Sequence, residues 1–314
     1  MATESIDELV DLAMAGNRSA LARTLTLVES GNEVVNAVHD RLAISGKSSH
    51  IVGVTGAPGA GKSTLVGALI RLLRAHDQRV AVLAVDPSSP FSAGALLGDR
   101  LRMAPTERDS GVFIRSMASR GQQGGLAAAT LAATAILEAC DWPLIIIETV
   151  GAGQAEIDIA GTADTTVVVV NPGWGDEVQA HKAGLMEIGD VFALNKADRP
   201  GVAETRADLE TLLATRPVDR GPIAIVETVA TEDRGTETLW QHIEAHHHNA
   251  YEGADQRRAK RIEQALRVGI KSRLDARRNL LLASPSFDEA VNTIAAGGQS
   301  LSDALEELLA QEGD

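Results

Sequence analysis

A glycine-rich segment near residue 60 has the composition of a phosphate-binding loop. Residues 56–63 read Gly-Ala-Pro-Gly-Ala-Gly-Lys-Ser, which fits the pattern G-x-x-x-x-G-K-[ST] at every fixed position. Successive backbone N–H groups of such a loop wrap the phosphates, and glycine permits the backbone angles that this requires. Lys62 would bring positive charge to the outer phosphates as a catalytic group, and Ser63 would offer its hydroxyl to Mg²⁺. The residues predicted to contact the phosphates are Gly56, Ala57, Pro58, Gly59, Ala60, Gly61, Lys62, Ser63 and Thr64.

A second polar segment, residues 195–198, has the composition of a guanine-binding site. It reads Asn-Lys-Ala-Asp and follows a short apolar run. The Asp198 carboxylate can accept hydrogen bonds from the ring N–H and the exocyclic amino group of guanine. Adenine has no such pair of donors, so ATP would leave the carboxylate unpaired. Asn195 can tie this segment to the phosphate loop, and the stem of Lys196 can lie against the base. Three further residues are predicted to contact the base through backbone N–H groups: Val229, Ala230 and Thr231.

Acidic residues at the ends of predicted strands indicate a magnesium site. Asp86 ends one apolar run and Glu148 ends another. A carboxylate at the end of a strand beside a phosphate loop commonly holds Mg²⁺, often through water, so both are counted as metal and catalytic groups. Asp99 can join the metal shell with Ser63. Structural roles also stay open, because Asp86 precedes a proline and Asp99 can cap a helix.

The segment after Glu148 has the features of a nucleotide sensor. Gly151 can offer a backbone N–H to the γ-phosphate, which would make the following residues sensitive to the bound nucleotide. Gln154 can orient the attacking water as a further catalytic group. No arginine is evidently placed to stabilise the transition state from within the chain, so slow basal turnover is predicted; Arg120 is a candidate contributor.

Short apolar runs alternate with helix-length segments from residue 51 onward, which indicates how these groups are positioned. Continuous apolar strands separated by helices favour a mainly parallel sheet covered on both faces, and right-handed crossovers make it a doubly wound α/β domain of the P-loop class. Ligands of such sheets bind beyond the carboxyl ends of the strands, where all the motifs above fall. The predicted strands are Ile51–Thr55, Val80–Val85, Val112–Arg115, Leu144–Glu148, Thr166–Asn171, Val191–Asn195 and Ile223–Glu227, and the helices between them include Ser63–Ala75 and Leu126–Ala139.

Helical patterns flank this region on both sides. Three helices are predicted before residue 48, the second capped by Ser19. After residue 250 an apolar stripe recurs every four residues in a basic stretch, and residues 287–309 are predicted to form a further helix. We predict an N-terminal helical extension at 1–47, a P-loop GTPase domain at 48–249 and a C-terminal arm at 250–314. A second subunit would bury the stripe, which consists of Ile262, Leu266, Ile270 and Leu274.

Composition and charge exclude several classes of protein. The net charge of −14 argues against nucleic-acid and anionic lipid partners. The single cysteine, Cys140, excludes an intramolecular disulfide and a cage of thiolates for a metal. The N-terminus is acidic and lacks the apolar core of a secretory signal, so the predicted location is the cytoplasm. Three adjacent histidines at 246–248 point in different directions on a helix and cannot converge on one ion.

Four further runs, taken with the phosphate loop and the Asn-Lys-Ala-Asp segment, give the chain a specific resemblance. They are VDPSSPFSAGALLGDRLRM at 85–103, FIRSMASRGQQGGLA at 113–127, ETVGAGQAE at 148–156 and GDEVQAHKAG at 175–184. In this order they resemble the MeaB/ArgK family, the G-protein chaperones of adenosylcobalamin-dependent methylmalonyl-CoA mutase. The resemblance covers essentially the whole chain and is looser beyond residue 250.

The resemblance implies a GTPase that forms a homodimer through its C-terminal arm and binds the mutase. It implies that GTP gates cobalamin loading and protects the mutase. It also implies that Asp176 and Glu177 lie in a mobile switch whose lysine, here Lys182, communicates with the partner. The chain departs from common family patterns at residues 114–117, at residues 122–125 and at Trp174. These departures put the identity of the partner in doubt but not nucleotide binding.

Two other functions remain as alternatives at this stage. A metal-insertion GTPase would need clustered Cys and His ligands near the nucleotide. A small-molecule kinase acting on an amino acid or amine would need an acceptor pocket and a base beside the γ-phosphate, and it would leave Asn195, Lys196 and Asp198 hard to explain.

Overall fold

A seven-stranded parallel sheet is the main feature of the fold. The computed structural model describes residues 6–29, 49–86, 109–118, 125–149, 161–173, 179–215, 223–249 and 254–310. The strand order is β3-β2-β4-β1-β5-β6-β7, and every neighbouring pair is parallel. The predicted doubly wound α/β fold is therefore confirmed. The strands are β1 His50–Gly56, β2 Val80–Asp86, β3 Val112–Ala118, β4 Leu144–Thr149, β5 Thr165–Val170, β6 Val191–Asn195 and β7 Ala224–Thr228.

Helices cover both faces of the sheet because its strands are apolar on both sides. All residues of β4, β5 and β6 are buried. Val167 and Val169 belong to a cluster with the helices after β1 and β7, whereas Val168 and Val170 join a cluster with the helices on either side of β6. This alternation follows from the two-residue period of a strand. The helices are α1 Ile6–Met14, α2 Arg18–Val28, α3 Lys62–Ala75, α4 Gly125–Ala139, α5 Gln179–Ile188, α6 Val202–Leu213, α7 Thr236–Asn249, α8 Ala254–Leu282, α9 Pro285–Ala295 and α10 Leu301–Ala310.

The second N-terminal helix, α2, attaches to the edge strand β3. Arg18 donates to Ser110 O at 2.8 Å and to Val112 O at 2.5 Å, and Arg115 of β3 forms an ion pair of 2.9 Å with Glu29. The prediction that Ser19 caps α2 is wrong: the cap is Asn17, whose side chain accepts from the N–H groups of residues 19 and 20. The predicted third helix lies outside the described residues.

The chain divides into two units, Met1–Ala265 and Leu266–Asp314, with the boundary inside α8. The predicted division at residue 250 remains a prediction. The second unit contains the rest of α8 together with α9 and α10. The prediction of a single helix over 287–309 is wrong, because α9 ends at Ala295 and Gly297, with φ +75°, separates it from α10. Within the described ranges, no helix has the length and apolarity that crossing a bilayer requires.

Candidate nucleotide-binding site

The predicted phosphate loop connects β1 to α3 at the carboxyl end of the sheet. Gly56 is the last residue of β1 and has φ +137°, and a Cβ there would lie 2.1 Å from Val169 O of the neighbouring strand β5. Only glycine fits so close an approach. Pro58 and Gly59 are exposed while Ala60 is fully buried. The outer rim of the loop is therefore open to a ligand, and its inner side is fixed in the core.

Lys62 lies within the loop that it would serve. Its Nζ donates to Gly56 O at 2.7 Å and to Ala57 O at 3.1 Å, and the residue is buried. Helix α3 begins at Lys62, with Gly61 as its N-cap. The first N–H groups of a helix have no partner within it, and the helix dipole is positive at this end. The loop therefore combines a lysine ammonium with a helix N-terminus, an arrangement that favours phosphate.

Oxygen atoms from two elements meet beside the loop, and a third element ends at the same edge of the sheet. Ser63 Oγ donates to Glu148 Oε1 at 2.5 Å, and Glu148 is only 1% exposed. Glu148 of β4 lies opposite Val54 of β1 in the sheet register. Asp86 is the last residue of β2, the other neighbour of β4, so its backbone lies at the same edge. The Ser63 hydroxyl and the Glu148 carboxylate are both oxygen donors, the kind of ligand that suits Mg²⁺.

Asn195 joins the segment predicted to bind the base to two other parts of the site. Its Nδ2 donates to Ala60 O of the phosphate loop at 2.9 Å. Its Oδ1 accepts from Thr228 Oγ1 and from Ala230 N, both at 3.2 Å. The residue is 2% exposed, so these bonds are shielded from water. One amide side chain therefore fixes the ends of β1, β6 and β7 relative to each other.

The remaining residues of the predicted base site surround Asn195. Lys196 has φ +59° and its Nζ donates to Gly59 O at 2.6 Å, while Asp198 is exposed. The Val229 N–H donates to Arg234 O and the Ala230 N–H to Asn195 Oδ1. Two of the three N–H groups predicted to contact the base are thus directed at protein acceptors in this structure. Thr231 is exposed.

Several predicted site residues lie outside the described part of the chain. They are Asp99, Arg120, Gly151, Gln154, Asp176 and Glu177. Lys182 lies in α5, but its side chain, like that of Asp86, is among those not described. The predictions about these side chains therefore stay predictions.

The structure adds three contacts that the sequence analysis missed. Thr149 Oγ1, next to Glu148, donates to Thr55 Oγ1 at 3.1 Å and links the ends of β4 and β1. Thr228 supports Asn195, as described above. Arg71 of α3 pairs with Asp233. A buried threonine at the end of an apolar strand was a usable signal for the first two, whereas nothing in the sequence pairs Arg71 with a residue so far away.

Comparison with known proteins places this geometry in a family. Residues 21–280 match the family model described as methylmalonyl Co-A mutase-associated GTPase MeaB. The chain belongs to the MeaB family of GTPases. It is accordingly a P-loop GTPase.

Individual members of the MeaB family are similar over most of the chain. A putative GTPase of Pyrococcus abyssi is 42% identical and is matched over 92% of this chain and 91% of its own length. The mouse protein named methylmalonic aciduria type A homolog, mitochondrial, is 36% identical over 62% of this chain and 50% of its own length. A solved structure titled LAO/AO transport system kinase has 26% identity and a TM-score of 0.70, and the match covers 98% of both chains.

Proposed function

We propose that this MeaB-family GTPase hydrolyses GTP at the site built around Asn195. The observation that carries the proposal is the set of three hydrogen bonds that join Asn195 to Ala60, Thr228 and Ala230. They hold the phosphate loop and the Asn195–Asp198 segment at a fixed separation, as a nucleoside triphosphate requires. Asp198, exposed at the end of that segment, accepts from guanine, and Lys62 neutralises the outer phosphates.

We propose that Ser63 and Glu148 hold Mg²⁺, with Asp86 and Asp99 completing its surroundings. The contact between the Ser63 hydroxyl and the buried Glu148 carboxylate supports this fit, because both are oxygen donors beside the phosphate loop. Bound Mg²⁺ would supply charge neutralisation at the β- and γ-phosphates. Gly151 and Gln154 follow β4 directly in sequence, so we assign them to the γ-phosphate and the attacking water.

We further propose that the partner of this GTPase is an adenosylcobalamin-dependent acyl-CoA mutase, most simply methylmalonyl-CoA mutase. The description of the family model and the name of the mouse relative support this partner. GTP hydrolysis would gate loading of the cofactor into the mutase and protect the loaded enzyme. Asp176, Glu177 and Lys182 would form the surface that responds to nucleotide and contacts the mutase.

The test of this function is GTP hydrolysis by the purified protein with and without methylmalonyl-CoA mutase from the same organism. We expect a slow basal rate that the mutase raises, with no hydrolysis of ATP and none of GTP by Lys62→Ala. A rate that the mutase leaves unchanged would exclude it as the activating partner while keeping the GTPase. Fast turnover by the isolated protein would contradict the proposal that the partner activates it.

We propose that the C-terminal arm forms a homodimer. Along α8, Leu266, Ile270 and Leu274 are each about 60% exposed, and Ile262 is 46% exposed. Exposure of such an apolar stripe to water is unfavourable, and burial against a second copy lowers the free energy. Light scattering should give twice the chain mass for wild type and a monomer for Ile270→Glu; a wild-type monomer would contradict the proposal.

A second candidate function is phosphorylation of a small molecule. It is favoured by the structure titled LAO/AO transport system kinase, which resembles this chain over nearly its full length. With γ-labelled GTP, a GTPase releases inorganic phosphate, whereas a kinase transfers label to basic amino acids supplied in the assay. We expect release alone, because the Asn195–Asp198 segment matches a guanine site and most kinases use ATP.

A further inference from the structure

The loop that contains residues 229–231, which are predicted to contact the base, is held from two sides. We define the base loop as residues 229–234. On its inner side the Ala230 N–H binds Asn195, and the Ala230 side chain is buried in the cluster that includes Leu65 and Leu69 of α3. An antiparallel bridge between Val229 and Arg234 closes the loop on itself. These contacts fix its inner half against the sheet.

The outer side of the base loop is attached to α3 by one ion pair. Arg71 Nη2 donates to Asp233 Oδ1 at 2.5 Å, and Arg71 Nε donates to Oδ2 of the same carboxylate at 3.3 Å. Two parallel N–H···O bonds from a guanidinium fix direction as well as distance. Asp233 ends the 3₁₀ turn Ala230–Glu232 with φ +55°, a conformation that aspartate tolerates better than most residues. The neighbouring charged residues of the loop form a pair of their own, with 3.8 Å between Arg234 Nε and Glu232 Oε2.

Helix α3 begins at the phosphate loop, so this ion pair connects the base loop to the helix that follows the phosphate loop. Side chains on a helix lean toward its N-terminus. Arg71 does so, because a Cβ placed on Gly67, one turn earlier, would lie 3.6 Å from Arg71 Nη1. The guanidinium therefore reaches from the body of the phosphate helix to the tip of the base loop. A shift of the loop away from α3 would break this ion pair.

We propose that Arg71 is a positioning residue for guanine: through Asp233 it holds the base loop at the distance from the phosphate helix that a bound guanine nucleotide needs. The inference rests on the proposed guanine site and on the predicted contact between the base loop, where Thr231 is exposed, and the base. Both side chains are about half exposed, so the pair adds little to the stability of the fold. The ion pair instead affects the geometry of the base loop and hence the affinity for guanine nucleotides.

The experiment compares Arg71→Met with a matched control, Arg206→Met. Arg206 of α6 forms an ion pair of 2.8 Å with Glu227 of β7, with similar exposure, but outside the base loop. Two probes are titrated: GDP, which spans the site, and inorganic pyrophosphate, which meets only the phosphate loop. We expect Arg71→Met to weaken GDP binding about two- to five-fold, the size of an exposed ion pair. Pyrophosphate binding should be unchanged, and Arg206→Met should change neither.

The double variant Arg71→Met/Asp233→Asn provides a second test. If the two residues act only through each other, it should bind GDP as weakly as either single variant and no more weakly. The inference is overturned if Arg71→Met binds GDP like Arg206→Met, or if GDP and pyrophosphate weaken together. Failure of the proposed base site is a separate result, since wild type would then bind GDP no more tightly than ADP.

Discussion

Alanine at Gly61 and alanine at Gly59 make a matched pair of perturbations in the phosphate loop. Both glycines have left-handed backbone angles, φ +97° and +76°, so alanine costs about 1–2 kcal/mol at either position. Their surroundings differ. A Cβ on Gly61 would lie 2.3 Å from Asn195 Nδ2, whereas a Cβ on Gly59 would have no heavy atom within 4 Å.

The magnitude of the difference follows from the bonds of Asn195. Its amide is buried, and moving the whole group away from Gly61 breaks its bonds to Ala60 O, Thr228 and Ala230. At about 1 kcal/mol for each net hydrogen bond, loss of all three costs about 3 kcal/mol. We therefore predict that Gly61→Ala lowers the free energy of unfolding by about 3 kcal/mol more than Gly59→Ala does, or more than a hundredfold in the folding equilibrium.

Urea unfolding without nucleotide, followed by tryptophan fluorescence, measures both variants against wild type. Equal m-values would show that the midpoints report stability alone. GDP titration of the folded variants then asks whether the displaced amide also disturbs the base site, in which case Gly61→Ala loses more affinity than Gly59→Ala. Equal losses of stability in the two variants would refute the reasoning, because Asn195 would then not be fixed by the three bonds described.

Three further predictions concern other groups. Asn195→Ala should lower the free energy of unfolding by about 3 kcal/mol. The control Asn171→Ala should lower it by about 1 kcal/mol, because the Asn171 amide donates one half-buried hydrogen bond, to Pro172 O. Urea midpoints compare the two variants, and equal losses would contradict the role of Asn195. Glu148→Gln should keep the fold but abolish the gain in GTP affinity on adding Mg²⁺, measured against EDTA; an unchanged gain would remove Glu148 from the metal site. Hydrogen bonds from Arg74 and then from the Gly111 N–H hold the pKa of Asp109 below its usual value, so protonation favours the unfolded state. The stability difference between wild type and Asp109→Asn should be full at pH 7 and fade as pH falls below about 4; a difference that is constant with pH would contradict this.

Much of the site was predictable because its signals are local in sequence. The phosphate loop and residues 195–198 each need only a few neighbouring residues to be recognised, and apolar runs located all seven strands. Five strands were predicted to end one to three residues early, β6 was predicted with its observed bounds, and β5 was predicted to end one residue late. The largest difference is at β3, where pairing with β2 continues past Arg115 to Ala118. Asn17 rather than Ser19 caps α2, since either residue type can cap a helix and only the turn at Gly16 decides between them.

Contacts between distant surface residues were not predictable. Arg71 and Asp233 are 162 residues apart, and each alone has the pattern of an ordinary solvated charge. Their meeting depends on how α3 packs against the turn after β7, which is a property of the whole sheet. The same holds for Arg18 and Arg115, whose partners on β3 and α2 become evident only when the N-terminal helices dock on the edge strand.

The order of the strands also sets when the site is completed during synthesis. β7 is the last strand in the described part of the chain, yet β7 and the turn after it supply Thr228 and Ala230 to Asn195. Gly61 leaves the ribosome 170 residues before Thr231 (231 − 61), an interval of about 17 s at roughly 10 residues per second. A nascent chain therefore has its phosphate loop well before the bonds that fix the base segment. Ligands that need both ends of the site can stabilise only chains whose sheet is finished.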